Sequence, residues 1–520
     1  MIRCKGLSAA CALGLAVSLP VFATESPEQW YADGQAAIAA AIALKPNTRQ
    51  AKNVILFVGD GMGISTITAT RIFDGQSRGE SGEENVLAWE ALPFVALSKT
   101  YNTNLQTPDS AGTMSAMMTG VKTDHGVLSV DQRVVLGDCA SVKGTERITL
   151  LEQAETVGMA TGVVSTARIT HATPAATYAH SAARDWESDS DLPAEAKTQG
   201  CKDIARQLVE FNYGDGIEVV LGGGRRNFLP AQTPDPEYGK NLGKRQDGRN
   251  LIAEWQRSPS HAFVWNAEQL AKAAANPKVE KLLGLFSPSH MAYEVDRPHE
   301  AHPEPTLAAM TRTAIDLLAK REQGFFLMVE GGRIDHAHHE NNAARALAEG
   351  QAFSQAVAAA LQKVDLADTL VIVTADHSHV FTMGGYPARG NPILGFVRPP
   401  VEHAGKQGLT LALDKKPYTT LGYLNGPGYS KPEHRGLRSY GQANAGRKLD
   451  ATVDVEHADF HQEVLIPLAS ETHGGEDVAI FAGGPWAHLF HRTHEQNYIY
   501  HVMYHALGMH ERIAKQPKAD

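Results

Sequence analysis

The run Glu330-Gly331-Gly332-Arg333-Ile334-Asp335-His336-Ala337-His338-His339 places two carboxylates and three histidines within ten positions. Imidazole and carboxylate are ordinary ligands of zinc and its neighbours, so this density points to a metal site rather than a core segment. If the run is helical, Asp335 and His339 stand four apart on one face and can meet at one ion; His338, three apart, is an equally allowed partner. Glu330, upstream at the end of an apolar run, reaches a different ion. In Val373-Thr374-Ala375-Asp376-His377-Ser378-His379 a carboxylate and an imidazole are adjacent, where a turn lets both coordinate one metal. Glu471-Thr472-His473-Gly474-Gly475-Glu476-Asp477 adds His473 beside two glycines that permit close approach.

Two more segments carry candidate chemistry. Gly59-Asp60-Gly61-Met62-Gly63 has the glycine spacing of a phosphate-binding turn, but its aspartate repels pyrophosphate unless a metal lies between, so Asp60 reads as a ligand. Thr107-Pro108-Asp109-Ser110-Ala111-Gly112-Thr113 leads into a small-residue helix over 114–119. Ser110 near its N-terminus sits at the positive end of the helix dipole, which favours an alkoxide and an incoming phosphate. The simpler alternative is that Asp109 or Ser110 is only a helix cap.

These side chains need a scaffold. Apolar runs at 53–59, 159–165, 217–222, 325–329, 370–374 and 478–481 read as buried strands, alternating with helical patterns at 307–321 and 342–364. That alternation predicts an α/β fold with a doubly wound, mostly parallel central sheet and helices on both faces. Ligands of such sheets bind beyond the carboxyl ends of the strands, where Asp60, Glu330, Asp335 and the Asp376-His377 pair fall. From about residue 384 to 450 the alternation stops in favour of Gly, Pro and short mixed segments, which predicts an inserted subdomain. Residues 230–248 read as a polar surface loop.

The 520 residues are 43% hydrophobic and 20% charged, a globular composition able to bury a large core. A net charge of −10 without a dense Lys/Arg run argues against nucleic-acid binding. An acidic chain that handles phosphate needs metals to offset its own charge, and 23 histidines are available to hold them. Arg3 and Lys5, the apolar stretch 6–22 and Val21-Phe22-Ala23 predict a cleaved signal peptide over residues 1–23, hence a periplasmic or secreted protein. Only Cys139 and Cys201 then remain, and an even pair in an oxidising compartment suggests a disulfide, two buried thiols being the alternative. No further run of about 20 apolar residues follows and 511–520 are polar, so neither a spanning helix nor a membrane anchor is expected.

Together these motifs resemble alkaline phosphatases, of the animal type more than the enteric bacterial type. The resemblance runs from residues 51–71 through Asp109-Ser110-Ala111, Arg168-Ile169-Thr170-His171-Ala172-Thr173-Pro174 and Ala183-Arg184-Asp185-Trp186 to Thr472-His473-Gly474-Gly475-Glu476-Asp477-Val478. It implies a secreted phosphomonoesterase with a phosphoserine intermediate at Ser110 and a catalytic domain over 24–384 and 451–512. One zinc would be held by Asp335, His339 and His473, and the second by Asp60, Asp376 and His377. A magnesium would be held by Asp60, Thr173 and Glu330, with His171 beside it; Thr173 stands where animal members have serine and keeps the hydroxyl. Two cations about 3.5–4 Å apart would neutralise the monoester dianion and stabilise both the attacking and leaving oxygens. Arg184 would clamp two non-bridging oxygens.

The same resemblance implies a Cys139–Cys201 disulfide, a crown-like inserted subdomain over 385–450, and a homodimer in which Tyr386 reaches the partner. It departs at Ser287, where animal enzymes have a glutamate of a peripheral calcium site, so that site is not expected. The animal lipid-anchor tail is not matched either. A diesterase or sulfatase of the same superfamily is the nearest alternative; Arg184 and the complete third-metal set favour monoesters.

Overall fold

A computed structural model describes residues 26–400, 408–430, 432 and 443–516. The expected signal segment, 1–23, and parts of 385–450 lie outside the described residues. Eight strands form in chain order through the first three quarters of the chain: β1 (Asn53–Gly59), β2 (Phe94–Lys99), β3 (Ala160–Arg168), β4 (Val219–Gly223), β5 (His261–Val264), β6 (Lys281–Leu285), β7 (Phe325–Gly331) and β8 (Thr369–Ala375). Short strands follow: β9 (Ser378–His379), β10 (Phe381–Met383), β11 (Leu421–Gly426), β12 (Val464–Pro467) and β13 (His473–Gly474). The last two are β14 (Val478–Gly483) and β15 (Thr493–Glu495).

Ten of them make one sheet, in the order β15-β2-β14-β8-β1-β7-β3-β4-β6-β5. Only β14 runs against the others, pairing antiparallel with both β8 and β2. All six predicted strands are present, and β1, β7 and β8 are buried at every residue, as expected of strands covered on both faces. Alternate side chains of β1 feed two different cores. Val54, Leu56 and Val58 pack with Met114 and Met117 of helix Ser110–Thr119, while Ile55 and Phe57 pack with Phe353 and Val357 of helix Ala343–Leu361. The sheet is therefore doubly wound.

The register brings the strand ends level. Gly59 pairs with both Gly331 and Ala375, and Ser165 pairs with Glu330. Residues following β1, β8, β7 and β3 consequently emerge side by side at the centre of the sheet. Because β14 is reversed, its amino end lies at this same rim, which delivers the preceding β13 and His473 into the crevice.

A small sheet of order β10-β11-β12 stands beside the main one, and β9 pairs with β13. Cys139 and Cys201 form a disulfide. The 230–248 segment is more than a surface loop: buried Arg225 and Asp235 pair at 2.7 Å, and buried Arg245 pairs with Asp203 at 2.9 Å, so ionic groups within it are desolvated and mutually satisfied. No helix among the described residues is long and apolar enough to cross a membrane.

Candidate active site

Asp60 leaves β1 through a turn that requires glycine. Gly61 has φ +67°, and a Cβ there would lie 2.3 Å from His379 Nε2. Asp60, Glu330, Asp376 and His377 are fully buried. Asp376 Oδ1 accepts from the backbone N–H groups of Gly61 and His377, both at 3.0 Å, whereas its Oδ2 has no hydrogen-bond partner. His377 Nε2 stands 3.3 Å from Asp376 Oδ2 and 3.5 Å from Asp60 Oδ1.

Ser110 is the first residue of helix Ser110–Thr119, and Asp109 is its cap, accepting from Gly112 N at 3.2 Å. The capping task therefore falls to Asp109 and leaves the Ser110 hydroxyl free for other work. Ser110 Oγ lies 3.0 Å from His377 Nε2 and 3.5 Å from Asp60 Oδ1. Asp109 has a second duty: its Oδ2 accepts from Arg184 Nη1 at 3.0 Å, so one carboxylate fixes both the serine loop and the guanidinium. Arg184 Nη2 is 3.4 Å from His171 Nε2.

Asp335 and His339 lie on helix Arg333–His339, with Asp335 Oδ1 3.2 Å from His339 Nε2 and 3.4 Å from His473 Nε2. The alternative partner, His338, turns away and packs between Thr66 Oγ1 at 3.0 Å and Tyr423 Oη at 2.8 Å. His339 Nδ1 donates to Glu471 O at 2.6 Å and His473 Nδ1 to Pro108 O at 2.7 Å. A carbonyl can only accept, so in the neutral ring each Nε2 keeps its lone pair, the form that ligates a metal.

The residues of the third expected set, Asp60, Thr173 and Glu330, are all fully buried. Asp60 Oδ2, Glu330 Oε1 and Thr173 Oγ1 are buried without hydrogen-bond partners, as is His171 Nδ1. Ser165 Oγ donates to the other oxygen of Glu330. Buried polar atoms of this kind are costly unless something satisfies them.

Electrostatics point the same way. Burial pushes the Asp60 and Asp376 carboxyls up, and neighbouring carboxylates push them further; burial raises Glu330 to about 7. Among the described residues no lysine or arginine pairs with any of the three. Burial would also raise Asp335, but His339, His379 and His473 hold it well below the usual carboxylate range. What the Asp60, Asp376 and Glu330 group lacks is positive charge beside it, and the donor set of carboxylate, hydroxyl and imidazole fits divalent cations.

The alkaline phosphatase family model matches residues 51–509. This chain belongs to the alkaline phosphatase family. It is 46% identical to the tissue-nonspecific alkaline phosphatase isozyme of Gallus gallus over 490 residues, 93% of this chain and 89% of that protein. It is 45% identical to the Homo sapiens isozyme over 490 residues, 93% of this chain and 88% of that one. The solved Thermus thermophilus alkaline phosphatase shares the fold, with a TM-score of 0.63 at 24% identity, covering 89% of this chain and 93% of that one. The alkaline phosphatase of the Antarctic bacterium TAB5 does too, with a TM-score of 0.57 at 22% identity, covering 89% and 99%. The chain is thus a hydrolase of phosphate monoesters whose metal-binding groups converge on one crevice.

Several residues of this alkaline phosphatase escaped the sequence reading. His379 places Nε2 2.8 Å from Asp335 Oδ1 and Nδ1 2.5 Å from Glu471 Oε2. Burial lowers its pKa, but Glu471 and Asp335 outweigh this and raise it to about 10. Held between two carboxylates, the His379 ring can donate from both nitrogens and so orient Asp335. His290 and His336 were also missed; their rings lie 4.1 Å apart and within 5.4 Å of His171. Asp109 and His379 stood in quoted motifs, but side-chain direction is not written in spacing.

Proposed function

We propose that the chain is a secreted alkaline phosphatase that works through a phosphoserine at Ser110 with two zinc ions and one magnesium ion. Asp335, His339 and His473 would hold the first zinc, Asp60, Asp376 and His377 the second, and Asp60, Thr173 and Glu330 the magnesium. Bound there, the metals supply positive charge to the attacking and leaving oxygens of the phosphoryl group.

The chain's own residues supply the rest. Ser110 Oγ attacks phosphorus in line, the bond to the leaving alkoxide breaks, and the phosphoryl group is carried on serine. Arg184, aimed by Asp109, holds two non-bridging oxygens through paired N–H groups. Water then displaces the serine oxygen and releases phosphate, so two inversions give net retention at phosphorus. The observation that carries this reading is the 3.0 Å approach of Ser110 Oγ to His377 Nε2 beside the unpartnered oxygens of Asp60 and Asp376. Acid quenching during turnover, followed by peptide mass analysis, tests it: phosphate is expected on Ser110, and a label on another residue or on none would overturn the reading.

The disulfide supports an oxidising compartment after removal of 1–23. Exposed apolar surface supports a homodimer: Tyr386, 95% exposed with φ +56°, and helix Pro27–Ala43, which buries none of its residues and exposes Trp30, Tyr31, Ile38 and Ile42. The crown-like subdomain over 385–450 contains β11 and joins it to β10 and β12, which lie on either side of those bounds.

A further inference from the structure

The central strand of the small sheet, β11, touches both segments that carry Asp335, His339 and His473. Alternation along it buries Tyr423 and Asn425 and leaves Leu424 exposed. Tyr423 Oη meets His338 Nδ1 at 2.8 Å while Thr66 Oγ1 meets its Nε2 at 3.0 Å, so helix Arg333–His339 is held from two sides. Asn425 grips Thr472 twice, with Oδ1 accepting from Thr472 N and Nδ2 donating to Thr472 Oγ1, both at 3.0 Å. Thr472 is the residue before His473.

The end of the helix is tied to the same strand. Asn341, at φ +57°, donates from its backbone N–H to His338 O at 2.8 Å and from Nδ2 to Asn425 O at 3.0 Å. Gly426 has φ +127°, and a Cβ there would lie 2.3 Å from Asn341 Oδ1, so strand and helix end meet with no room to slide. Asp60, Asp376 and His377, by contrast, receive no side-chain bond from β11; the segment after His377 meets it through main-chain bonds, Leu424 N to Val380 O at 3.1 Å and the β10–β11 pairing, which the Tyr423 and Asn425 side chains do not make.

We infer that two side chains of β11, Tyr423 and Asn425, form a positioning strut for one metal site. Resting on the metal assignment proposed above, Tyr423 and Asn425 hold Asp335, His339 and His473 in ligating geometry. Removing these side-chain bonds, with the strand's main-chain pairing left in place, weakens that site and spares the one built on β1 and β8. Asn425 acts through Thr472 on His473, and Tyr423 acts through His338 on the helix; neither touches substrate.

The test is a zinc titration of the chelator-stripped full-length protein against a competing chromogenic chelator, resolving each binding step. In Asn425→Ala one step is expected to weaken about 10–100-fold and the others to stay within about two-fold, with lost turnover restored by excess zinc. Tyr423→Phe should weaken the same step less, and Thr472→Ser, which keeps the hydroxyl, should match the unaltered protein. If Asn425→Ala does not fold, Asn425→Asp carries the same test, since it keeps the acceptor for Thr472 N–H and loses the donor. Equal weakening of every step, or steps that all stay unchanged, would overturn the inference. An unaltered protein that binds no zinc would instead overturn the assignment beneath it, and the inference with it.

Discussion

The imidazoles of His377 and His473 stack with ring centroids 3.5 Å apart and planes within 17° of parallel. One follows β8, and the other precedes β14 and enters from the opposite chain direction. The stack joins the Asp335-His339-His473 group to the Asp60-Asp376-His377 group in a single centre. Ser110 Oγ lies at its edge.

Arg184→Ala should lower kcat/KM for a phosphomonoester about 100-fold or more, because two charge-assisted hydrogen bonds to the phosphoryl oxygens are lost. Arg184→Lys should recover only part, since a point charge does not reproduce the paired N–H geometry. Steady-state kinetics at saturating metal check this; an unchanged kcat/KM would remove Arg184 from the site.

The Cys139–Cys201 bond links residues 62 apart in sequence, and in the chain-entropy model it contributes about 4 kcal/mol. It packs among Val127, Val130 and Trp186, in a cluster that contains none of the proposed metal ligands. Replacing both cysteines by serine should lower the unfolding midpoint markedly and leave kcat at 25 °C nearly unchanged. Thermal unfolding and turnover measured on the same preparation check both halves.

At the far end of the sheet, Glu155 is buried against Thr161 Oγ1 with its Oε2 unpartnered. Burial first, then the Glu218 carboxylate, raise its pKa to about 9, with Lys281 opposing and Asp215 reinforcing. In the unfolded chain the group releases its proton near the ordinary glutamate pKa of 4.5, whereas in the folded protein it keeps it until about pH 9. The folded state therefore binds the extra proton, and stability falls as pH rises through this window. Glu155→Gln should flatten the fall in unfolding midpoint between about pH 5 and 9, measured with metals saturating. An unaltered slope would contradict the account.

The sequence disclosed the centre of the fold better than its edges. β1, β7 and β8 read clearly because strands covered on both faces are continuous apolar runs. β2 did not, because its burial alternates and Val95 and Leu97 remain exposed beside Lys99. β15 and the small sheet have three to six residues per strand, too few for a periodic signal. The reversal of β14 could not be read from composition, although it is what brings His473 to the crevice. Asp335 and His339 were legible from helical spacing, whereas the choice between His338 and His339 depended on Thr66 and Tyr423, distant in sequence. The buried pairs of 230–248 were hidden for the same reason, since Asp203 and Arg225 lie outside the loop.

The most direct test of the central claim is hydrolysis of a chromogenic phosphate monoester at alkaline pH, beside the matching diester and sulfate, before and after chelation and restoration with zinc and magnesium. The account predicts activity confined mainly to the monoester, lost on chelation and recovered with the metals. Dominant diester or sulfate activity, or none after metal restoration, would contradict it.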